Sequence, residues 1–375
     1  MNVIFKRASW LELFYDVAFI ALVAQLTYLA VEHHHTLTDF INIFMVGYTI
    51  FIAWWATTAN RNLQPTECAL DKILTQVQMV AVFLMSIFMS AVFEGNYVGF
   101  FMILAFVRLL QSFMIIRMYV NHPQTRPVTY NILGGFFVAS FLWAASALIG
   151  DPYHFVVAFA ALAVDIFVPL TKGKGNTRSY LNVYHLQERL GLFLMLVIGE
   201  SMIVVALSNS GTTQLFNQTG VVFSGLGIMI ALWWLYFEYS DKHSGKHPRN
   251  LFAFLHSHGL LFGSIVIVSV GYKIILDTFA TQTAFLFVIA GMAGISASIL
   301  FIRLTLYEIC LKATTMSLAI LLVGVSVAVY GYMFERYLEA MTFLTVLFIA
   351  TAIIDYFGFF ESLKKQGSQT NNAIN

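Results

Sequence analysis

The sequence predicts an all-α protein, a polytopic transmembrane helical bundle of about twelve spans in two parallel six-helix repeats. Three observations carry that expectation. Hydrophobic residues make up 59% of the chain and charged ones 10%, with a mean hydropathy of +0.79, whereas soluble domains carry about 25% charge. Apolar runs of bilayer-crossing length, about 20 residues each, recur along the whole chain. The basic residues between them fall almost entirely on alternate loops.

Taken in order, the runs are Trp10 to Ala30, Phe40 to Ala59, Ile73 to Phe93, Tyr97 to Tyr119, Val128 to Gly150 and Tyr153 to Leu170. A polar break, TKGKGNTRSYLN, follows. The pattern resumes with Leu190 to Leu207, Gly220 to Tyr239, Leu251 to Leu276, Ala284 to Arg303, Thr314 to Phe334 and Ala340 to Phe360. Lys6 and Arg7 precede the first run as they would in a signal peptide. Glu12 and Asp16 inside it, and a length near 20 residues, argue for a retained helix.

With a cytoplasmic N terminus the inside segments hold seventeen Lys and Arg residues and the outside loops two, Lys273 and Arg336; Arg108 is left within a span. That asymmetry is what the positive-inside rule demands of twelve spans with both termini in the cytoplasm. Cys68 and Cys310 then face the reducing side, and two cysteines so far apart suggest neither a disulfide framework nor a zinc site.

The halves align with each other. Glu12 falls on Glu188 at an offset of 176, Trp54-Trp55 on Trp233-Trp234 at 179, and Gln76 and Gln78 on His256 and His258 at 180. Arg117 matches Arg303 at 186 and Asp165 matches Asp355 at 190. The offset rises steadily, as small loop insertions after a duplication would make it. Six spans per half imply parallel repeats related by an axis along the membrane normal. The expected organisation is a first repeat over 1–172, a cytoplasmic linker over 173–187, a second repeat over 188–361 and a short polar cytoplasmic tail over 362–375.

Candidate functional residues are the charges inside the spans. A charged side chain in hydrocarbon costs at least about 2.5 kcal/mol and normally faces the bundle interior with a partner. Glu12 and Asp16 lie one turn apart on one face of the first span. Glu188, Glu200 and Ser201 repeat the theme in the seventh, and Arg108 sits midway along the fourth. Arg108 is expected to pair with Asp16, Glu12 or Glu200. Secondary candidates are His185, Arg189, Asp165, Asp355, His256 and His258. Single polar residues between helices can be packing glue of about 0.6 to 2 kcal/mol; several titratable groups at one depth are an expensive way to make glue.

Other features have plainer readings. The tryptophan pairs read as interfacial belt residues. The triplet His33 to His35 reads as a solvated loop, because three adjacent histidines on a helix cannot all reach one metal ion. Gly294 and Ser298 with Ala293 and Ala297 form a small-residue packing seam. No basic run for nucleic acid, phosphate loop, HExxH or GxSxG occurs, so no cofactor or metal is expected and the expected partners are the lipid bilayer and a small solute or ion.

Two stretches, SWLELFYDVAFIALVAQL at 9–26 and HLQERLGLFLMLVIGES at 185–201, resemble the bacterial low temperature requirement protein A family. ANRNLQP at 59–65, ALWWLYFE at 231–238 and the helix from His256 to Gly271 support it. The resemblance implies a polytopic inner-membrane protein whose motif residues are Glu12, Asp16, His185, Glu188, Arg189, Gly199, Glu200 and Ser201, with no settled activity to carry over. Three function classes follow: a transporter or channel for a small solute or ion, proton-coupled in one form; a lipid-acting enzyme built on His185, Glu188 and Arg189; and a non-catalytic sensor or scaffold for cold adaptation. The first is preferred, because the inner-edge trio suggests no recognisable reaction and the tail after Glu361 holds no output domain.

Overall fold

The structure, a computed structural model, describes residues 7–33, 37–64, 68–150, 153–167, 182–206, 215–278, 281–306 and 323–372. His34, His35, Cys310, residues 168–181 around the expected linker and the opening of the eleventh span lie outside them. The described residues form twelve α-helices and no strand. These are α1 (Trp10–Glu32), α2 (Leu37–Leu63), α3 (Ala69–Phe93), α4 (Val98–Asn121), α5 (Arg126–Leu148) and α6 (Tyr153–Phe167). They continue with α7 (Val183–Ala206), α8 (Leu215–Lys242), α9 (Leu251–Thr278), α10 (Thr281–Leu306), α11 (Val323–Met333) and α12 (Tyr337–Asn372). Nine are long and apolar enough to cross a membrane; the apolar stretches Ile132–Leu148, Tyr153–Phe167 and Val323–Met333 are shorter. This is a multi-pass membrane protein.

Local chemistry sets the helix ends. Ser9 caps α1: the Glu12 backbone N–H donates to Ser9 Oγ at 3.3 Å and the Ser9 N–H donates to Glu12 Oε2 at 2.8 Å, a reciprocal capping box. Asn250 opens α9, its Oδ1 accepting from the Ala253 N–H at 3.1 Å. Pro123 starts the 3-10 turn that joins α4 to α5, where a missing N–H costs nothing.

The faces of α3 show how such helices are organised. Asp71, Thr75, Gln78, Val82, Met85 and Met89 point inward, whereas Ile73, Val77, Val80, Leu84 and Ile87 are exposed. Both faces are largely apolar, and Asp71, Thr75 and Gln78 sit inside while Lys72 and Gln76 near the helix start are exposed; past that first stretch the pattern is the reverse of a soluble helix and the arrangement lipid requires.

The chain divides into two compact units, residues 1–197 with 245–247, and 198–244 with 248–375. In the first, α4 packs against α3 and α5, α5 against α6, and α1 against α2 and α3. Ala56, Leu63, Ile115, Met118 and Phe136 form a core where α2, α4 and α5 meet. In the second, α9 packs along α10 and α8 along α12.

The α9 and α10 backbones approach closely at Gly291, where a Cβ would stand 2.8 Å from the Ser264 carbonyl oxygen and 2.8 Å from the Val268 amide nitrogen. Of the expected seam on the tenth span, Gly294 faces the Ser264 side chain and Ser298 is buried, whereas Ala293 is exposed. Backbone atoms cannot swing aside, so Gly291→Ala should destabilise the protein by about 1 to 3 kcal/mol through overpacking. Gly134→Ala, in open space on α5, should be neutral or slightly stabilising. Thermal unfolding of the purified variants in detergent checks both, and equal midpoints would contradict the close approach.

Candidate functional site

Three helices of the first unit present polar side chains at the same four-residue spacing. On α1 these are Glu12 and Asp16, on α7 His185 and Arg189, and on α2 Trp54, Thr58 and Asn62. Four residues are about one helical turn, so each set lines one face. The faces meet as a ladder. In one rung His185 Nε2 lies 3.1 Å from Glu12 Oε1, and Asn62 Nδ2 lies 3.2 Å from His185 Nδ1. In the next, Arg189 grips Asp16 with two parallel bonds, Nη1 to Oδ2 at 2.8 Å and Nη2 to Oδ1 at 2.7 Å, and Trp54 Nε1 donates to the same Oδ1 at 2.7 Å. Because residue 12 faces 185 and residue 16 faces 189, α1 and α7 run parallel here.

The hydrogen bonds also assign the histidine tautomer. Asn62 Oδ1 accepts from the Asn182 N–H at 2.9 Å, which fixes the amide orientation and turns Nδ2 toward the Asn182 carbonyl and the imidazole. Nδ1 of His185 is therefore the acceptor, and in the neutral ring the proton sits on Nε2, facing Glu12. With its one proton on Nε2 the neutral imidazole faces the Glu12 carboxylate as a donor, whereas the Asp16–Arg189 pair is a fixed, bidentate ion pair. Asp16 is fully buried and Arg189 is 1% exposed. The Trp54 ring stacks on Phe193 with centroids 4.3 Å apart.

A second constellation crosses α4, α5 and α6. Arg108 Nη2 lies 2.9 Å from Asp165 Oδ2, to which Nε also donates at 3.1 Å; Trp143 Nε1 donates to the same oxygen at 3.0 Å. Arg108 Nη1 donates to Gln111 Oε1 at 2.7 Å. Gln111 Nε2 in turn donates to the Ala53 carbonyl at 2.8 Å and to Thr57 Oγ1 at 2.9 Å. Thr57 also receives Gln78 Nε2 at 2.9 Å and contacts the Tyr15 hydroxyl at 2.8 Å.

Several expectations are corrected by this geometry. The partner of Arg108 is Asp165, not Asp16, Glu12 or Glu200; Asp16 belongs to Arg189, which hydropathy assigns to the inner edge of the span. The helix α7 opens at Val183 and so carries His185 and Arg189 inward. The trio proposed for lipid chemistry is divided: Glu188 is exposed and accepts from the Ala8 N–H at 3.0 Å, while His185 and Arg189 turn to α1. Trp54 is no belt residue, being fully buried with its N–H on Asp16.

In the second unit, Arg303 holds Asp355 bidentately at 2.9 and 2.7 Å, beneath the Tyr239 ring. His258 is saturated: Nδ1 lies 2.7 Å from the Phe254 carbonyl and must donate to it, so Nε2 accepts from the Tyr236 hydroxyl at 3.0 Å. His256 is half-buried beside Phe252. Glu200 and Ser201 are both buried. Among the described residues no group of three or more His, Cys, Asp or Glu could hold a metal ion.

A family model for the bacterial low temperature requirement A protein matches residues 7–354. The chain belongs to that family. The match spans every helix of the ladder. An uncharacterized protein of Rhizobium meliloti (strain 1021) is 21% identical over 289 residues, which cover 71% of this chain and 68% of that protein. The site residues that hydropathy does not single out are Trp54, Thr58 and Asn62, and the signal that could find them is their spacing of four, which matches that of Glu12 and Asp16.

The pairings predict which charge deletions compensate. Arg189→Ala leaves Asp16 buried and unpaired, which should cost about 3 to 5 kcal/mol. Adding Asp16→Asn should recover most of that loss, and Asp165→Asn should do the same for Arg108→Ala. Unfolding midpoints in detergent for singles and doubles test this; rescue of Arg108→Ala by Asp16→Asn would reverse the assignment.

Proposed function

We propose that this protein is a transporter or channel for a small solute or ion in the bacterial inner membrane, with the α1–α2–α7 ladder as its intramembrane acidic site. The observation that carries this reading is the pairing of a histidine–carboxylate rung, Glu12–His185, with a bidentate ion pair, Asp16–Arg189, a turn deeper along α1. Apolar side chains of equal volume would pack a bundle at least as stably as a buried ion pair, so ionic rungs in lipid-embedded helices point to work on a polar substrate or a proton. Glu12 is the proton-accepting carboxylate with the His185 Nε2–H facing it, Arg189 pairs with Asp16 in the next rung, and Glu188, Glu200 and Ser201 are further polar groups on α7. Protons are the coupling ion that this chemistry favours. The reading is of a non-enzymatic protein.

The proposed architecture is twelve spans in two parallel repeats, 1–172 and 188–361, joined by a cytoplasmic linker over 173–187, with a polar tail over 362–375 and both termini in the cytoplasm. Two features support the duplication. Thr57 and Gln78 bond between α2 and α3, and Tyr236 and His258, at offsets of 179 and 180, bond between α8 and α9. An Arg–Asp pair joins α4 to α6 and another joins α10 to α12. The second pairing uses non-equivalent arginines: Arg117, the sequence match of Arg303, reaches Asp71 at 3.3 Å instead.

Flux into proteoliposomes, with a panel of cations and small solutes under an imposed proton gradient, tests the function. The native protein should support gradient-driven flux of at least one species, and Glu12→Gln should abolish it while leaving the protein folded. Undiminished flux in Glu12→Gln and Asp16→Asn would remove the acidic site from the mechanism. Topology is tested separately with single cysteines: those at Asn96, Asp151 and Asn209 should react with impermeant reagents from outside, and those at Gln124 and Gly245 should not.

A further inference from the structure

The hydrogen bonds around Thr57 do not close. Its Oγ1 accepts amide protons from Gln78 and Gln111, both at 2.9 Å, which uses both lone pairs. Its own proton therefore goes to the Tyr15 oxygen at 2.8 Å rather than to the Ala53 carbonyl at 3.5 Å. Tyr15 is then an acceptor, and its phenolic proton is left for another group. Gln78 Oε1 has no hydrogen-bond partner in the structure, nor has either end of the Asn60 side-chain amide. Asn60 stands one turn from Thr57 on α2, within about 5 to 6 Å from Cβ to Cβ. All four residues are at most 2% exposed.

An unpaired buried polar group costs about 1 to 3 kcal/mol, and internal water is the usual remedy. The open positions around Thr57 are two acceptors, Gln78 Oε1 and Asn60 Oδ1, and two donors, Asn60 Nδ2 and the Tyr15 hydroxyl. A cation would need acceptors alone and an anion donors alone; a mixed, uncharged set suits a molecule that both gives and takes protons in hydrogen bonds. The charges at the far end of the network, Arg108 and Asp165, already neutralise each other.

We infer that Tyr15, Thr57, Asn60 and Gln78 form an internal hydration site in the first unit, binding water molecules that extend the Arg108–Gln111–Thr57 chain toward α1. The second unit supplies the contrast. At the matching positions, between α8 and α9, both ring nitrogens of His258 are engaged, by Tyr236 and by the Phe254 carbonyl, so the imidazole there offers water no open position.

The inference stands on geometry and does not need the transport reading. X-ray hydroxyl-radical footprinting of the purified protein, read by mass spectrometry, tests it, because radicals formed from bound water label side chains that bulk solvent does not reach. Tyr15, 1% exposed, should be labelled several-fold faster than Tyr236, 6% exposed. Asn60→Leu and Gln78→Leu should each bring Tyr15 down to the Tyr236 rate while the exposed Tyr28 keeps its own. Protection of Tyr15 in the native protein equal to that of Tyr236 overturns the site even if neither variant folds, and labelling that survives both substitutions in folded protein overturns it as well. Protected Tyr15 in a protein that supports flux would leave the transport reading standing, and labelled Tyr15 in a flux-dead protein would leave the hydration site standing.

Discussion

The bidentate bond between Arg189 and Asp16 is the constraint from which much of the first unit follows. Neither group could be withdrawn from water alone, and each fixes the other's helix: the fork geometry of a guanidinium on a carboxylate tolerates little rotation or sliding. Once residue 16 faces residue 189, helical periodicity brings residue 12 opposite residue 185. It also leaves the α2 face of Trp54, Thr58 and Asn62 as the third side. Trp54 completes the carboxylate's coordination and spreads its ring over Phe193, so an ionic contact and an aromatic one share one residue. The ladder is thus a register device as well as a chemical site.

The two units share some polar contacts and differ in where their charge lies. Polar bonds between the second and third helices, and ion pairs between the fourth and sixth, recur in both halves. The carboxylate on the opening helix does not, because the position matching Asp16 holds Leu192. The Arg303–Asp355 pair is partly open to its surroundings whereas Arg108–Asp165 is sealed. Charge has been concentrated in the first unit, while the second relies on close backbone approach at Gly291 and on hydroxyl bonds such as Ser224 to Tyr272 and Thr345.

Much of this is legible in the sequence. The helical class follows from hydropathy, and the inward placement of Glu12 and Asp16 from the cost of charge in lipid. The pairing is less so. Arg189 stands among polar neighbours at the head of an apolar run, so hydropathy draws the span from Leu190, although α7 begins at Val183. The long arginine side chain lets a residue near a helix end neutralise a carboxylate deeper in the bundle. Arg108 has several carboxylates within plausible reach along the chain, and only the packing of α4, α5 and α6 selects Asp165. Trp54 reads as an interfacial residue because most tryptophans near span ends are such; its role depends on Asp16 lying across the helix interface, which no local pattern encodes.

Glu12 has two employments at once. One oxygen holds the Ser9 amide and so closes the first turn of α1; the other faces the His185 proton. In the proposed site, a solute that took both oxygens would displace the Ser9 N–H from Glu12 and leave only the Ser9 Oγ half of the capping box. The solute and the helix start would thus compete for one oxygen, and the N-terminal turn would report what Glu12 is holding.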